Sequence, residues 1–416
     1  MTHRTVSDDA AVELLRHLVA IPSPSGGERA ACETLVHWMG EHGFAARVDD
    51  VGSAVGTRGN GAREILLLGH IDTFPGEIPV RLERDLLYGR GAVDAKGPLC
   101  AFAAAAARVA VPAAWRVTVV GAVEEESATS RGAHQVLNQR LPAGGGTGPP
   151  AACVIGEPSR WDRIVLGYKG RLVVDAVLRA PFSHSAGSQP LPAERALGLW
   201  SAVTSYCQGA NQHSGPTEGQ FDSLTPSLRA IMTTDLGAYG EARLSVGVRL
   251  PPGMDPGVAE RDLVAAMAHR LFSPADGVDT SVENGSREGV PSRHHGFRSR
   301  LESGLQLTCT VFGHEWAFKA GKSNALVRAF LAGVRGQGGE PRFVVKTGTS
   351  DMNLVGRHWP DTPILAYGPG DSALDHTPSE HVSVREYLRS ISVLEAVLGR
   401  VMTQAVRSTS PPASQR

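Results

Sequence analysis

An apolar run, Leu66-Leu67-Leu68, ends in Gly69-His70-Ile71-Asp72. The imidazole and the carboxylate stand two residues apart, so in an extended chain they project to the same face. That pairing suits a metal ligand and its orienting partner. Three further sites repeat the pattern of a carboxylate where an apolar run gives out. Asp94 sits in Gly91-Ala92-Val93-Asp94-Ala95-Lys96-Gly97, just before an alanine-rich stretch; Glu124-Glu125-Glu126 follows Val117-Thr118-Val119-Val120; and Glu157 follows Ala152-Cys153-Val154-Ile155-Gly156. Late in the chain, His376 lies in Leu374-Asp375-His376-Thr377-Pro378. Each has a plain alternative: His70 as a satisfied core histidine, the three glutamates as a solvated acidic loop, His376 as a surface residue. Taken together, nitrogen and oxygen donors without a thiol suit hard-to-borderline divalent ions, and one carboxylate shared by two ions is the usual way to hold a pair.

The elements that must present these groups alternate between helix and strand. Apolar spacing predicts helices over 7–20 and, after the break at 21–28, over 29–42, strands over 45–51 and 65–71, a helix over 101–110 with Pro98 near its first turn, and strands over 117–120 and 152–156. From about Arg171 the composition shifts. Strands over 172–178, 242–250 and 305–318 and helices over 194–206 and 262–272 mark residues 171–320 as an inserted second domain between 1–170 and 321–407. Residues 142–150 and 273–300 read as solvated loops, and 408–416 as a disordered tail. Ser383-Val384-Arg385-Glu386 reads as a capping box opening a final helix.

At 416 residues, two domains are the prior expectation. Hydrophobic content of 42% and charged content of 20% are ordinary for a soluble protein, and no apolar run approaches the roughly 18 residues of a membrane span. The N-terminus lacks the apolar core of a secretory signal, so the cytoplasm is expected. A formal net charge of −1 gives no general attraction to nucleic acid or to an acidic membrane. Five scattered cysteines form no metal-binding or redox pair, and are expected to be reduced and mostly buried.

In their order, the motifs at 69–72, 91–97, 124–126, 156–158 and 375–378 resemble the zinc metallopeptidase family that includes carboxypeptidase G, acetylornithine deacetylase and succinyl-diaminopimelate desuccinylase. The match covers nearly the whole chain. It implies an α/β fold, a mixed-sheet zinc-peptidase catalytic domain with an inserted α+β lid or dimerisation domain. Residue by residue, it implies two zinc ions, with cobalt as a possible substitute: His70 and Glu157 on one, Glu126 and His376 on the other, Asp94 between them. Asp72 would orient His70, and Glu125 would be the general base that takes the attacking water's proton and returns it to the leaving amine. Glu124 stands where many relatives carry Asp. In the inserted domain, His184 resembles the lid histidine that stabilises an oxyanion, often in the partner's site, and Arg249 the arginine that grips a substrate carboxylate.

Within that family, 346–353 and 366–371 look most like the lysine or ornithine hydrolases that act on an amino-group carrier protein, which places Thr349, Ser350 and Asp351 at the substrate. The expectation is an amide hydrolase that frees lysine or ornithine from a small acidic carrier, working as a homodimer through the lid domain. The basic residues Arg287, Arg293, His294, His295, Arg298 and Arg300 offer a docking patch for such a carrier, or a merely solvated loop. The alternatives are a deacetylase or dipeptidase acting on free small substrates, and a binding protein that keeps the fold without the chemistry.

Overall fold

In the computed structural model the described residues are 6–407, without 128, 142–145, 182–188, 214–218, 274–276, 288–289 and 301–303. The chain divides into two compact units: one drawn from Met1–Gly167, Lys319–Val345 and Ser350–Arg416, the other from Tyr168–Phe318 and Lys346–Thr349.

The first unit is organised by strands that are apolar on both faces. Arg63–His70 is buried from Glu64 onward, and Ala152–Gly156 is buried throughout. Runs of that kind belong in the middle of a sheet covered on both sides. They lie in a nine-stranded mixed sheet whose first seven positions are Ala45–Val48, Ala54–Arg58, Trp115–Ala122, Arg63–His70, Ala152–Gly156, Ile364–Ala366 and Arg163–Tyr168. The four strands from Trp115–Ala122 to Ile364–Ala366 run parallel, and antiparallel pairings flank them.

The alanine-rich helix Lys96–Arg108 is buried from Lys96 to Ala106. Register explains how a helix fits so closely. Gly121, Gly69 and Gly156 stand side by side on three neighbouring strands. A Cβ on Gly69 would lie 3.3 Å from Leu99, one on Gly121 3.0 Å from Leu99, and one on Gly156 2.9 Å from Phe102. This row of bare backbone lets the helix settle onto the sheet, and its first turn carries the Asp94 loop with it.

Capping differs from the sequence reading at one point. Ser383 accepts the N–H of Glu386, as a capping box requires, but the Glu386 carboxylate turns away and takes the N–H groups of Trp161 and Gly370. Two loop donors replace the reciprocal bond. A complete capping box occurs instead at Ser350 and Asn353, opening the helix Asp351–His358.

The second unit is a six-stranded antiparallel sheet in the order Thr225–Asp235, Tyr239–Leu250, Gly170–Pro181, Gln306–Glu315, Val290–Ser299, Val278–Arg287. Helices Pro192–His213 and Pro256–Leu271 share its core. Residues 273–300, expected as a solvated loop, instead contain the paired strands Val278–Arg287 and Val290–Ser299. Almost every side chain of Val278–Arg287 is exposed, so no apolar alternation marks it in the sequence. The outer strand Thr225–Asp235 was hidden for the same reason. Residues 146–150 carry no helix or strand, while 142–145 and the expected tail 408–416 lie outside the described residues. Among the described residues, no helix is long and apolar enough to cross a membrane.

Candidate metal centre

Strand register delivers the first donors. Gly69 pairs with Gly156 and His70 with Ala122, so the chain ends carrying His70, Glu157 and the 124–126 turn emerge together at the C-terminal edge of the parallel strands. That edge is where open α/β sheets place their ligands.

Asp72 holds the turn in shape. Its carboxylate accepts the N–H of Glu125 (3.1 Å), the N–H of Glu126 (2.9 Å) and the hydroxyl of Ser25 (2.7 Å). His70 Nδ1 lies 3.0 Å from the Asp72 backbone carbonyl and 3.4 Å from its carboxylate. The carbonyl therefore sets the ring's tautomer at least as much as the carboxylate does. Glu124, with a positive φ of 61°, is turned outward to Thr129 and Arg131.

Asp94 and His376 close the centre. His70 Nε2 is 3.4 Å from one oxygen of Asp94, and His376 Nε2 is 3.1 Å from the other. His376 Nε2 is also 3.0 Å from Glu126. Phe74 stacks on the His376 ring at 4.3 Å. Donor atoms of Asp94, Glu126 and His376 all lie within 4.8 Å of one another. Buried His70 Nε2 has no hydrogen-bond partner among the described residues. An orphaned imidazole nitrogen facing a carboxylate already shared with a second imidazole is what a divalent cation would satisfy, and the all-nitrogen-and-oxygen donor set agrees.

The electrostatics follow from crowding. Burial, and then Glu157, Asp351 and Glu126, drive the Glu125 carboxyl well above the usual range against the pull of His70. Burial and Asp94 likewise raise Glu126, with His376 opposing. Burial works against a charged His70, yet Glu125, Asp72 and Asp94 together hold it well above its ordinary value. Hydrogen bonds to Asp94 and Glu126 raise His376 to about 10. Asp94 resists its own burial through His376 and His70, and stays below the carboxylate range. Closely set acids and imidazoles are sharing protons that cations would displace.

The other expected residues are dispersed. Asp351, the first residue of its helix, is buried near enough to Glu125 to act on its charge; burial lifts its own carboxyl to about 7, and one oxygen has no hydrogen-bond partner among the described residues. Ser350 is spent on capping that helix. In the second unit, Arg249 donates to the Thr349 hydroxyl at 3.2 Å. His184 lies outside the described residues. The basic cluster is not a loop: Arg287, Arg293, His294, His295 and Arg298 lie on the outer hairpin and Arg300 just past it. Acids from the hairpin and its neighbours answer much of the charge, Arg287 pairing with Asp175, Arg300 with Asp279, and Glu260 drawing in both His295 (2.7 Å) and Arg293 (3.4 Å). Sequence reasoning missed Ser25, Phe74, Arg90 and Glu380. Phe74, two residues after Asp72, Arg90, next to Gly91, and Glu380, four residues beyond His376, each lay beside a motif, but nothing local marked what they would meet.

A model of the family described as Peptidase family M20/M25/M40 matches residues 66–400. The LysW-lysine hydrolase of Deinococcus radiodurans is 40% identical to this chain over 401 residues, covering 96% of this chain and 99% of that one. Among solved structures, an M20 family metallo-carboxypeptidase from Sulfolobus solfataricus superposes with a TM-score of 0.69 at 16% identity, covering 94% and 99% of the two chains. A tripeptidase from Staphylococcus aureus gives 0.70 at 15%, covering 96% and 100%. At those identities the structural likeness speaks to the fold alone. With the family matched through every strand end that bears a donor, the protein belongs to peptidase family M20/M25/M40 and is a metal-dependent amide hydrolase.

Proposed function

We propose that this hydrolase cleaves the amide on the α-amino group of lysine or ornithine, releasing the amino acid from a small acidic amino-group carrier protein. The observation that carries this reading is the 40% identity, along nearly the full length, to a protein named LysW-lysine hydrolase.

His70 and Glu157 would hold one divalent cation and Glu126 and His376 a second, with Asp94 shared. Its two oxygens face different imidazoles, which supports the sharing. Zinc suits these donors, and cobalt can replace it. A bound pair of such ions supplies Lewis acidity, polarising the amide carbonyl and lowering the pKa of water toward neutrality. The chain supplies the proton path. Water adds to the amide carbon, Glu125 takes the proton released, and the same carboxyl delivers it to the nitrogen as the C–N bond breaks. A carboxyl raised by burial and neighbouring acids suits both halves of that exchange. Arg249 is assigned to the substrate carboxylate, His184 to the oxyanion, and Thr349, Ser350 and Asp351 to substrate contacts.

The same reading includes a homodimer formed by the second unit and a cytoplasmic setting. The outer strand Thr225–Asp235 supports the first, since it leaves Leu228, Ile231 and Met232 exposed on a strand that has no outer neighbour among the described residues. Five unpaired buried cysteines fit a reducing compartment. Comparing rates on carrier-linked lysine, carrier-linked ornithine, N-acetyl-lysine and N-acetyl-ornithine tests the substrate directly. The proposal expects carrier-linked lysine or ornithine to be strongly preferred. Equal or faster turnover of the free N-acetyl compounds would overturn it.

A further inference from the structure

Asp94 must keep its two oxygens aimed at two imidazoles, yet it sits in a loop, and loops hold position only when something fixes their backbone. That fixing comes from Glu380. Its side chain is fully buried, and one carboxylate oxygen accepts the N–H of Val93 at 2.9 Å and the N–H of Asp94 at 3.1 Å. The N–H of Gly91 bonds to the same carboxylate. Successive backbone N–H groups converging on one anion form a nest, a geometry that a carboxylate locks far better than water does. The second oxygen is held by Arg90 at 2.7 Å.

Arg90 extends the arrangement. It donates to the Gly76 carbonyl at 3.1 Å, and its guanidinium lies 5.9 Å from the centre of the Phe74 ring, the ring that stacks on His376. Glu380 is itself only four residues after His376, and its own carbonyl accepts the N–H of Gly89. Three segments, 74–76, 89–94 and 376–380, are thereby tied through one ion pair, its carboxylate fully buried and its guanidinium partly exposed. On the far side of Asp94, the Lys96 ammonium donates to the carbonyls of Leu18 and Ile21, so the loop is pinned at both ends.

We propose that Glu380, with Arg90, is the positioning pair of the metal centre: one buried carboxylate sets the backbone of the shared ligand Asp94 and, through Arg90 and Phe74, the ring of His376. Neither residue touches the reacting atoms. Because Asp94 serves both cations, disturbing the clamp loosens both ions together, whereas an ordinary ligand defect loosens one. The inference rests on the ligand set proposed above.

The test is cobalt(II) titration of the full chain after stripping with a chelator, read by visible d–d absorption and by competition with a chromophoric chelator. Wild type, Glu380→Gln and Arg90→Lys are compared, with folding checked by circular dichroism. Glutamine keeps the size of the side chain but turns an N–H2 toward Arg90. Lysine keeps the charge but loses the fork that reaches Glu380 and Gly76 at once. We expect each variant to bind both cobalt equivalents about 10- to 100-fold more weakly, the range typical of groups that orient ligands from behind, with both absorption envelopes altered. Wild-type affinity and an unchanged spectrum in a folded variant overturn the clamp. Should Glu380→Gln fail to fold, Arg90→Lys decides alone, since its side chain is partly exposed and retains its charge. A wild-type protein that takes up fewer than two cobalt ions contradicts the two-metal reading itself, a result distinct from failure of the clamp.

Discussion

At the scale of single residues, the centre depends on giving three adjacent glutamates three fates. Asp72 takes the N–H groups of Glu125 and Glu126, while Glu124 is drawn outward to Arg131. Glu125→Gln removes the proton carrier but leaves every proposed ligand in place. It should lower turnover by at least about 10²- to 10⁴-fold with metal content unchanged, as measured by steady-state kinetics beside elemental analysis. Full activity in that variant would remove Glu125 from the mechanism. His376 gives a second expectation. Its pKa is raised from 6.5 to about 10 in the folded protein by Asp94 and Glu126, so the folded chain keeps a proton that the unfolded chain loses. The stabilisation is therefore complete below pH 6.5 and disappears as pH rises through 10. In excess chelator, urea denaturation should show stability falling across that window, and His376→Gln should flatten the fall. An identical slope in the variant would contradict this. The residues that could be read from sequence were those at the ends of apolar runs, because a strand end followed by glycine and an acid is a local pattern. Phe74, Arg90 and Glu380 were not legible, because what matters is whom they meet across hundreds of positions.

At the scale of elements, the parallel strands and the Lys96–Arg108 helix do the placing. The glycine row lets the helix lie close, and both ends of that contact bear ligands: Asp94 just before the helix, His70 and Glu157 just after the glycines. Gly156→Ala puts a Cβ within 2.9 Å of Phe102 and 3.0 Å of the Gly69 backbone. It should cost about 1–3 kcal/mol in urea unfolding through overpacking, and should also weaken metal binding by tilting the helix. A variant with unchanged stability would mean the helix is not seated as described. The longer helices and the central buried strands were legible because their periodicity or continuous apolarity is intrinsic, whereas the short helices Arg131–Asn138 and Asp351–His358 and the buried strand Arg163–Tyr168 were not. The strands Thr225–Asp235 and Val278–Arg287 were not, since an outer strand exposed on both faces carries no alternation to read. The capping box expected at Ser383 shows a related limit. Sequence supplies the two residues, but whether Glu386 turns back or takes loop donors is settled by tertiary structure.

At the scale of the molecule, the account makes cation binding a source of stability as well as of chemistry. Ligands that bind only the folded chain raise its stability by mass action, about 2.7 kcal/mol at a hundredfold excess over Kd. Stripping the metal should therefore lower the melting temperature and abolish amide hydrolysis together, and zinc should restore both; calorimetry and kinetics on one preparation would show it. Activity that survives stripping would contradict the family's chemistry in this chain. The most direct measurement of the central claim is a crystal structure of the metal-loaded protein with anomalous data at the zinc edge. The account predicts two peaks flanking Asp94, one between His70 and Glu157 and the other between Glu126 and His376. A single peak, or a pair that does not share Asp94, would contradict it.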